Sequence, residues 1–431
     1  MITLSDVEDL KLEPYWWEAA PTPALPPAPL PEMTDVAVIG AGYSGLVAAL
    51  TLARAGRSVT VLEAGDTSQG ASTRNAGMTR GQVKISFTKL IRDLGLVQAR
   101  AIYGEARKAR ADLSHLLESE AIDCDFAPVG GFTPAHTLQD YDAMGRETDS
   151  LRKHLNIPVH MVPKAEQHRE LGSERYHGGQ VREDVGGLHP AVFHQGLLNR
   201  ALGAGATVAA RTAVTGISRE ARGFSVATDR GFVTARDVIV ATNGYTGSVT
   251  PWLRRRVIPI ESQVIATESL SQEVMNRLIP RGRMIVDSCK LHNYFRPSPN
   301  CSRILFGGRA GAAMSDPRRR AAHPYRKLTE VFPELAGVRI THSWSGITGY
   351  TFDLLPHIGI HEGVHYAMGF CGGGVVWAPY LGRKVALNVL GVPEANLFGA
   401  RNFPTRPLYY GRPWFLPTIM SYYGWRDRLG V

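Results

Sequence analysis

The sequence predicts an α/β chain in which a nucleotide-binding domain with a parallel sheet is interrupted by an inserted, strand-rich α+β domain. Three observations carry that expectation. A glycine-dense turn follows a short apolar run near the N-terminus, a second glycine cluster opens a helix after residue 372, and strand-like sequence fills much of the interval.

Val36 to Ile39 is apolar without interruption, the mark of a buried parallel strand. Gly40, Gly42 and Gly45 then form G-x-G-x-x-G around Tyr43 and Ser44, and Leu46 to Arg54 continue with helix formers. The first glycine permits a tight turn, the second lets backbone approach a pyrophosphate, and the third lets helix pack on strand. A second strand, Ser58 to Leu62, ends at Glu63, a carboxylate placed to accept from both hydroxyls of an adenosine ribose. Strand, glycines, helix, strand and acid in this order define a Rossmann-like unit. Gly203-Ala-Gly205 lacks the third glycine and precedes a strand, so it reads as a helix stop.

The chain has 431 residues, enough for two domains, with 44% apolar and 20% charged side chains. No apolar run approaches the roughly 18 residues of a membrane span, and no signal peptide precedes the first strand. Cysteines 124, 289, 301 and 371 show no C-x-x-C and no metal-ligand spacing, so reduced thiols in a cytoplasmic protein without a metal site are expected. The net charge of +9 suits small anionic substrates. Its strongest runs, Arg318–Arg320 and Arg254–Arg256, have no interleaved aromatics and read as solvated surface, not a nucleic-acid platform.

Residues 1–34 read as an arm, with Tyr15-Trp16-Trp17 docking it ahead of a proline-rich stretch. A helix is expected over 91–120, β-type sequence over 126–133, another helix over 191–203, and strands at 207–210, 223–227, 232–235, 257–267 and 303–307. "DVIVATNGYTG" (237–247) reads as a buried strand running toward a ligand crevice. Gly369, Gly372, Gly373 and Gly374 precede a helix from about Val375, whose free N–H groups attract a polar edge or an anion. His189-Pro190 is expected to shape a helix start, and the aromatic tail after 401 to dock on its own domain.

These segments, with "QGASTRNAGMTRGQV" (69–83), "NYFRPSPNCSRILFGGR" (293–309) and "WSGITGYTFDLLPHIG" (344–359), resemble the flavin-dependent D-amino-acid oxidase superfamily. The likeness is to its glycine oxidase, sarcosine oxidase and γ-glutamylputrescine oxidase branch, an iminodiacetate-oxidising enzyme included. The resemblance implies a glutathione-reductase-type FAD domain over 35–100, 160–249 and 342–400. It implies a substrate domain over 101–159 and 250–341, with a tail from 401. It also implies that Gly70, Ala71, Ser72, Thr73, Arg74, Asn75, Gly77 and Met78 wrap the flavin. Val214 would contact adenine through its backbone; Trp344, Gly346 and Thr348 would flank the flavin with Gly372, Gly373, Gly374 and Val375. Members that tether FAD use a cysteine after the tryptophan-glycine segment or a histidine after the first FAD loop. Here the first position reads Gly349-Tyr350-Thr351 and no histidine occurs between 64 and 114, so FAD is expected without a covalent link. The lysine that anchors a carboxylate in monomeric sarcosine oxidases falls at Val376.

The implied reaction is hydride transfer from an amine C–H to the flavin, with the imine hydrolysed in water and electrons passed to oxygen or another acceptor. The residues then sought are a carboxylate clamp and aromatic walls. Tyr294 and Arg296 alternate on a strand and share a face, the phenol beside a guanidinium fork. Arg80 and Lys84 follow the FAD loop and could overhang the flavin, while Arg309 is expected to make a structural ion pair. An N-substituted glycine such as iminodiacetate is the expected substrate, with a γ-glutamylputrescine-type amine or a D-amino acid as alternatives. A pyridine-nucleotide reductase would need a second fingerprint or a redox C-x-x-C, and neither is present.

Overall fold

The computed structural model describes residues 9–25, 28–309, 317–392, 394, 397–399 and 401–430. The first eight residues of the arm, residues 26–27 of its proline-rich stretch, and the side chain of Arg318 in the basic run lie outside them.

Two eight-stranded sheets organise the chain. At the centre of the first, the apolar strand Met33–Ile39 pairs in parallel with Val59–Leu62 on one side and Gly231–Val240 on the other. Thr207–Ala209 extends one edge and Val364–Met368 the other, both in parallel, and His357–His361 closes that edge antiparallel. Gly231–Val240 joins the two strands expected at 232–235 and 237–240, and it also carries an antiparallel hairpin of Val214–Glu220 and Gly223–Thr228. Helices Tyr43–Arg54 and Gly374–Val389 pack on this sheet and against each other, so closely that a Cβ on Gly382 of the second would stand 2.4 Å from the Ser44 carbonyl oxygen of the first.

The second sheet runs in the order 340–350, 258–267, 304–309, 294–297, 284–286, 131–134, 179–182, 159–162. All its pairings are antiparallel except that of Met284–Val286 with Gly131–Pro134. Its apolar face meets helices Gln272–Leu278 and Ala322–Val331 in a separate core that includes Phe295, Phe306 and Phe332.

This partition departs from the division expected from sequence. Residues 160–182, assigned there to the cofactor domain, supply two strands of the second sheet, as does Ile340–Tyr350. The expected helix over 91–120 is two helices, Phe87–Leu94 and Leu96–Ser119, broken at Gly95, whose φ of +82° suits glycine. The longer one buries Ala99, Ile102, Ala106 and Ala109 in the first core, because its small residues let it lie flat on the C-terminal glycine helix.

Candidate active site

Local packing explains each glycine of the first turn that the fold uses. Gly40 has φ +102°, and a Cβ on Gly45 would lie 1.9 Å from the Gly40 carbonyl oxygen, so helix and strand could not approach with any other residue. Gly42 faces Ser72 Oγ, which accepts from the Tyr43 N–H at 3.0 Å. The Tyr43 and Ser44 side chains point inward, their hydroxyls donating to the carbonyls of Pro190 and Ala378 at 2.9 Å. Ser44 can offer a phosphate its backbone N–H at the helix start, and Tyr43 can do so by exchanging its bond to Ser72.

Glu63 extends from the end of Val59–Leu62 over this turn. Its carboxylate accepts from the N–H groups of Ala41 at 2.8 Å and Gly65 at 3.1 Å, one per oxygen, and each oxygen keeps a lone pair for a ribose hydroxyl. Burial raises its pKa, and those backbone bonds oppose the rise. The Thr212 N–H donates to the Glu63 carbonyl at 2.7 Å, which draws the Ala213–Val214 backbone alongside. Val214 itself opens its strand half-buried, its side chain packed on the first sheet's core.

The loop from Gly70 to Met78 is braced from behind. Asn75 Nδ2 donates to the carbonyls of Ala71 and Ser72, and its Oδ1 accepts from the Gly77 N–H at 2.7 Å. Trp344 Nε1 donates to the Arg74 carbonyl at 2.9 Å, and Arg74 Nε to the Gln69 carbonyl at 2.7 Å. Thr73 is buried, and Gly77 adopts φ +67° where a Cβ would meet the Leu188 carbonyl oxygen at 2.1 Å. The arm joins this bracing: Trp16 is fully buried against the loop, and the Arg74 guanidinium lies 5.0 Å from the centroid of Trp17.

A cavity of about 410 Å³ lies at the junction of the two sheets. One wall carries Ala71, Arg74, Asn75 and Met78 of the loop with Gly346 and Thr348. Another carries Gly372, Gly373 and Val375, at the first turn of the sixteen-residue glycine helix, with Gly372 at φ +90°. The substrate side carries Arg80, Lys84, Tyr294, His292, Arg309 and Tyr350. The sequence-derived residues of loop, strand, glycines, Tyr294, Arg80 and Lys84 therefore meet in one place.

Arg296 does not join them. It is 3% exposed, and its Nη1 donates to the carbonyls of Leu188 at 2.8 Å and Ala76 at 3.2 Å, while Nε donates to Pro297 at 3.0 Å. It shares the face of Tyr294 but lies one residue pair further along the strand, behind the loop 70–78, with its guanidinium 5.6 Å from the centroid of the Trp16 ring. The fork expected to clamp a carboxylate clamps backbone. Arg309, expected in an ion pair, instead lines the cavity; its Nη2 donates to the Tyr350 hydroxyl, and it has no carboxylate partner among the described residues.

Five cations line the cavity: Arg74 in the loop wall, Arg182, which is paired with Asp184 at 2.6 Å, and Arg80, Lys84 and Arg309. Arg80 donates to Thr133 Oγ1 at 3.1 Å while its buried Nη1 has no hydrogen-bond partner. Burial, with Arg182 nearby, lowers its pKa to about 10, which leaves it charged at neutral pH. Burial holds His292 well below the usual histidine range, and the charges of Lys84, Arg309 and Arg80 push it the same way, so it is a neutral imidazole. Ser262 Oγ donates to the Gly308 carbonyl and so accepts from the Tyr294 hydroxyl at 2.8 Å; burial raises the Tyr294 pKa, and it stays a phenol. Ser262 escaped sequence reasoning, and Tyr350 and Arg309 were named there without a place at the cavity, because only strand pairing brings all three to it. Asp353 pairs with His357 Nε2 at 3.0 Å outside it, and His189 caps a helix by accepting from the Val192 N–H, as expected.

A glycine turn closed to any Cβ, an acid over it and a second glycine-opened helix at a polar-walled cavity fit FAD, and they define a flavin-dependent oxidoreductase. Residues 35–387 match the family described as FAD dependent oxidoreductase (DAO), and the chain belongs to it. It is 33% identical over 405 residues to the gamma-glutamylputrescine oxidoreductase of Escherichia coli (strain K12), covering 92% of this chain and 93% of that one. It is 32% identical to a probable oxidoreductase, OrdL, of Rhizobium meliloti (strain 1021), covering 96% and 97%. The glycine oxidase of Geobacillus kaustophilus has the same fold, with a TM-score of 0.71 at 23% identity, covering 88% and 99%. FAD is the cofactor. Cys371, at the cavity wall, is a buried thiol whose pKa burial pushes up to about 11. Among the described residues no helix is long and apolar enough to cross a membrane.

Proposed function

We propose that the chain oxidises the C–N bond of an amine carrying a carboxylate some distance from the oxidised carbon, a γ-glutamyl amine being the type. The observation that carries this is the set Arg80, Lys84 and Arg309, cations on the substrate side of the cavity facing no carboxylate but Glu147 and Asp287. Both acids are already engaged, Glu147 by the N–H groups of Phe87 and Thr88 and Asp287 by Asn293. The likeness to a gamma-glutamylputrescine oxidoreductase points the same way. The expected iminodiacetate-type substrate loses its main motive, because Arg296 is turned onto backbone.

FAD supplies the two-electron acceptor for the C–H beside nitrogen. In this reading Gly40, Gly42 and Gly45 with the N–H groups of Tyr43 and Ser44 hold its pyrophosphate, Glu63 its ribose and the Val214 backbone its adenine. The loop 70–78, Trp344, Gly346 and Thr348 seat the flavin, with Gly372, Gly373, Gly374 and Val375 offering helix-start N–H groups to its polar edge. Tyr294, Tyr350 and the neutral His292 wall the amine, which must bind as the free base to give up its hydride, the form that the neighbouring cations favour. Molecular oxygen is the proposed acceptor, and the reduced cysteines fit a cytoplasmic setting.

The test is anaerobic bleaching of the purified holoenzyme by γ-glutamylputrescine, putrescine, sarcosine, iminodiacetate, glycine and proline. Bleaching by the γ-glutamyl amine at the lowest concentration is expected. Preference for iminodiacetate or sarcosine would overturn the reading.

A further inference from the structure

A second and larger chamber, about 1,250 Å³, adjoins the active-site cavity. Its roof is the C-terminal helix Leu416–Leu429, and its sides are helix Ala322–Val331 and the start of helix Leu138–Leu155. The two spaces share Arg309. Between them runs the segment 287–294, in which His292 and Tyr294 line the inner space and Leu291 and Asn293 the outer. That partition is rigid, since Asp287 accepts from the Asn293 N–H at 2.9 Å, from Asn293 Nδ2 at 2.6 Å and from the Tyr176 hydroxyl at 3.1 Å.

The chamber is strongly cationic. Arg175, Arg309, Arg326, Lys327 and Arg428 line it, against only Glu330 and Asp427. Both carboxylates are already occupied. Glu330 pairs with Arg175 at 3.2 Å and Lys327 at 2.9 Å, and Asp427 caps the N–H groups of Lys290 at 2.7 Å and Leu291 at 2.9 Å. Arg309 and Arg428 are left without a carboxylate partner among the described residues. Two further groups on the lining, Arg175 Nε and His136 Nδ1, are buried with no hydrogen-bond partner. Donors and positive charge in excess, in a chamber that opens to solvent beside Arg428, make a site for an anionic group.

We infer that this chamber receives the carboxylate-bearing end of an extended substrate whose amine reaches past Arg309 into the inner cavity. The C-terminal helix, which contributes Arg428 and is held in place by Asp427, is thereby a specificity element. The inference rests on the proposed function and narrows it: of Arg80, Lys84 and Arg309 in the inner cavity only Arg309, which both spaces share, would then meet the carboxylate, together with Arg428.

The closing experiment is steady-state kinetics of FAD-loaded wild type, Arg428→Gln and Arg428→Glu with γ-glutamylputrescine and with putrescine, which lacks the carboxylate. Arg428 is exposed and lines only the outer chamber, so these variants should fold and load FAD. The expected result is a KM for the γ-glutamyl amine raised about 5-fold by the glutamine and more by the glutamate. The KM for putrescine should stay unchanged. Equal effects on both amines, or none on either, would overturn the inference while the proposed function stood. Wild type reduced by neither amine would remove the proposed function and the inference with it.

Discussion

The indole Nε1 of Trp16 donates to the carbonyl oxygen of Asn75 at 2.8 Å, so a residue of the N-terminal arm holds the loop proposed to wrap the flavin. Replacing Trp16 by Phe removes this donor and leaves a buried carbonyl unpaired, at a cost of about 1–3 kcal/mol. Trp16→Phe should therefore release FAD more readily and melt at a lower temperature, with kcat of the FAD-saturated enzyme close to wild type. Titration of apoprotein with FAD checks this, and an unchanged Kd would free the arm of any part in holding the cofactor.

Glu63 should matter for retention and not for turnover. Glu63→Gln keeps the shape but weakens charged hydrogen bonds, so FAD affinity should drop by about 1–3 kcal/mol. Gly45→Ala is a harsher probe, because the added methyl collides with the Gly40 carbonyl, and it should abolish FAD binding. Full affinity in Glu63→Gln would reassign the ribose contact.

Arg296 is expected to report on stability. Arg296→Met leaves the Leu188 and Ala76 carbonyls without their donor, so the melting temperature and FAD retention should fall. The KM of the FAD-loaded variant for its amine should move less than twofold. A large rise in KM alone would return Arg296 to the substrate.

Acid should loosen the cofactor domain through His194. Burial lowers its pKa to about 4, and its Nε2 donates to the Ala41 carbonyl at 2.8 Å, inside the glycine turn. The unfolded chain protonates this histidine near pH 6.5 while the folded chain does not, so stability is lost as pH falls from about 6.5 toward 4. His189 and His342, both lowered to about 4 chiefly by burial, act in the same direction. Chemical denaturation from pH 7 to 4.5 should show a falling midpoint, with a shallower slope in His194→Gln. Parallel slopes for variant and wild type would assign the acid sensitivity elsewhere.

What could be read from the sequence was whatever local geometry enforces. The turn at Gly40–Gly45 needs bare backbone within six residues, and the apolar runs beside it can only be buried strands. Arg296 was misplaced because alternation fixes the face of a strand and not what stands opposite each position on it. Two residues along is roughly 7 Å, enough to exchange a cavity for the back of a loop. Arg309 and Tyr350 come together only through the pairing of three strands distant in sequence, and the C-terminal helix has an amphipathic pattern too weak to announce itself.

The arm also sets an order of assembly. Lys11 bonds to Thr341 and Ser343 along the edge of the second sheet, and Trp16 settles on a loop that Trp344 braces from the other side. This segment therefore finds its edge partners only once residues 341–344, roughly 330 positions later, have been made. Until then it must stay extended and unpaired, a role its prolines suit, and closing so long a loop is among the last events of folding. Maturation of the holoenzyme should accordingly end, and not begin, at the N-terminus.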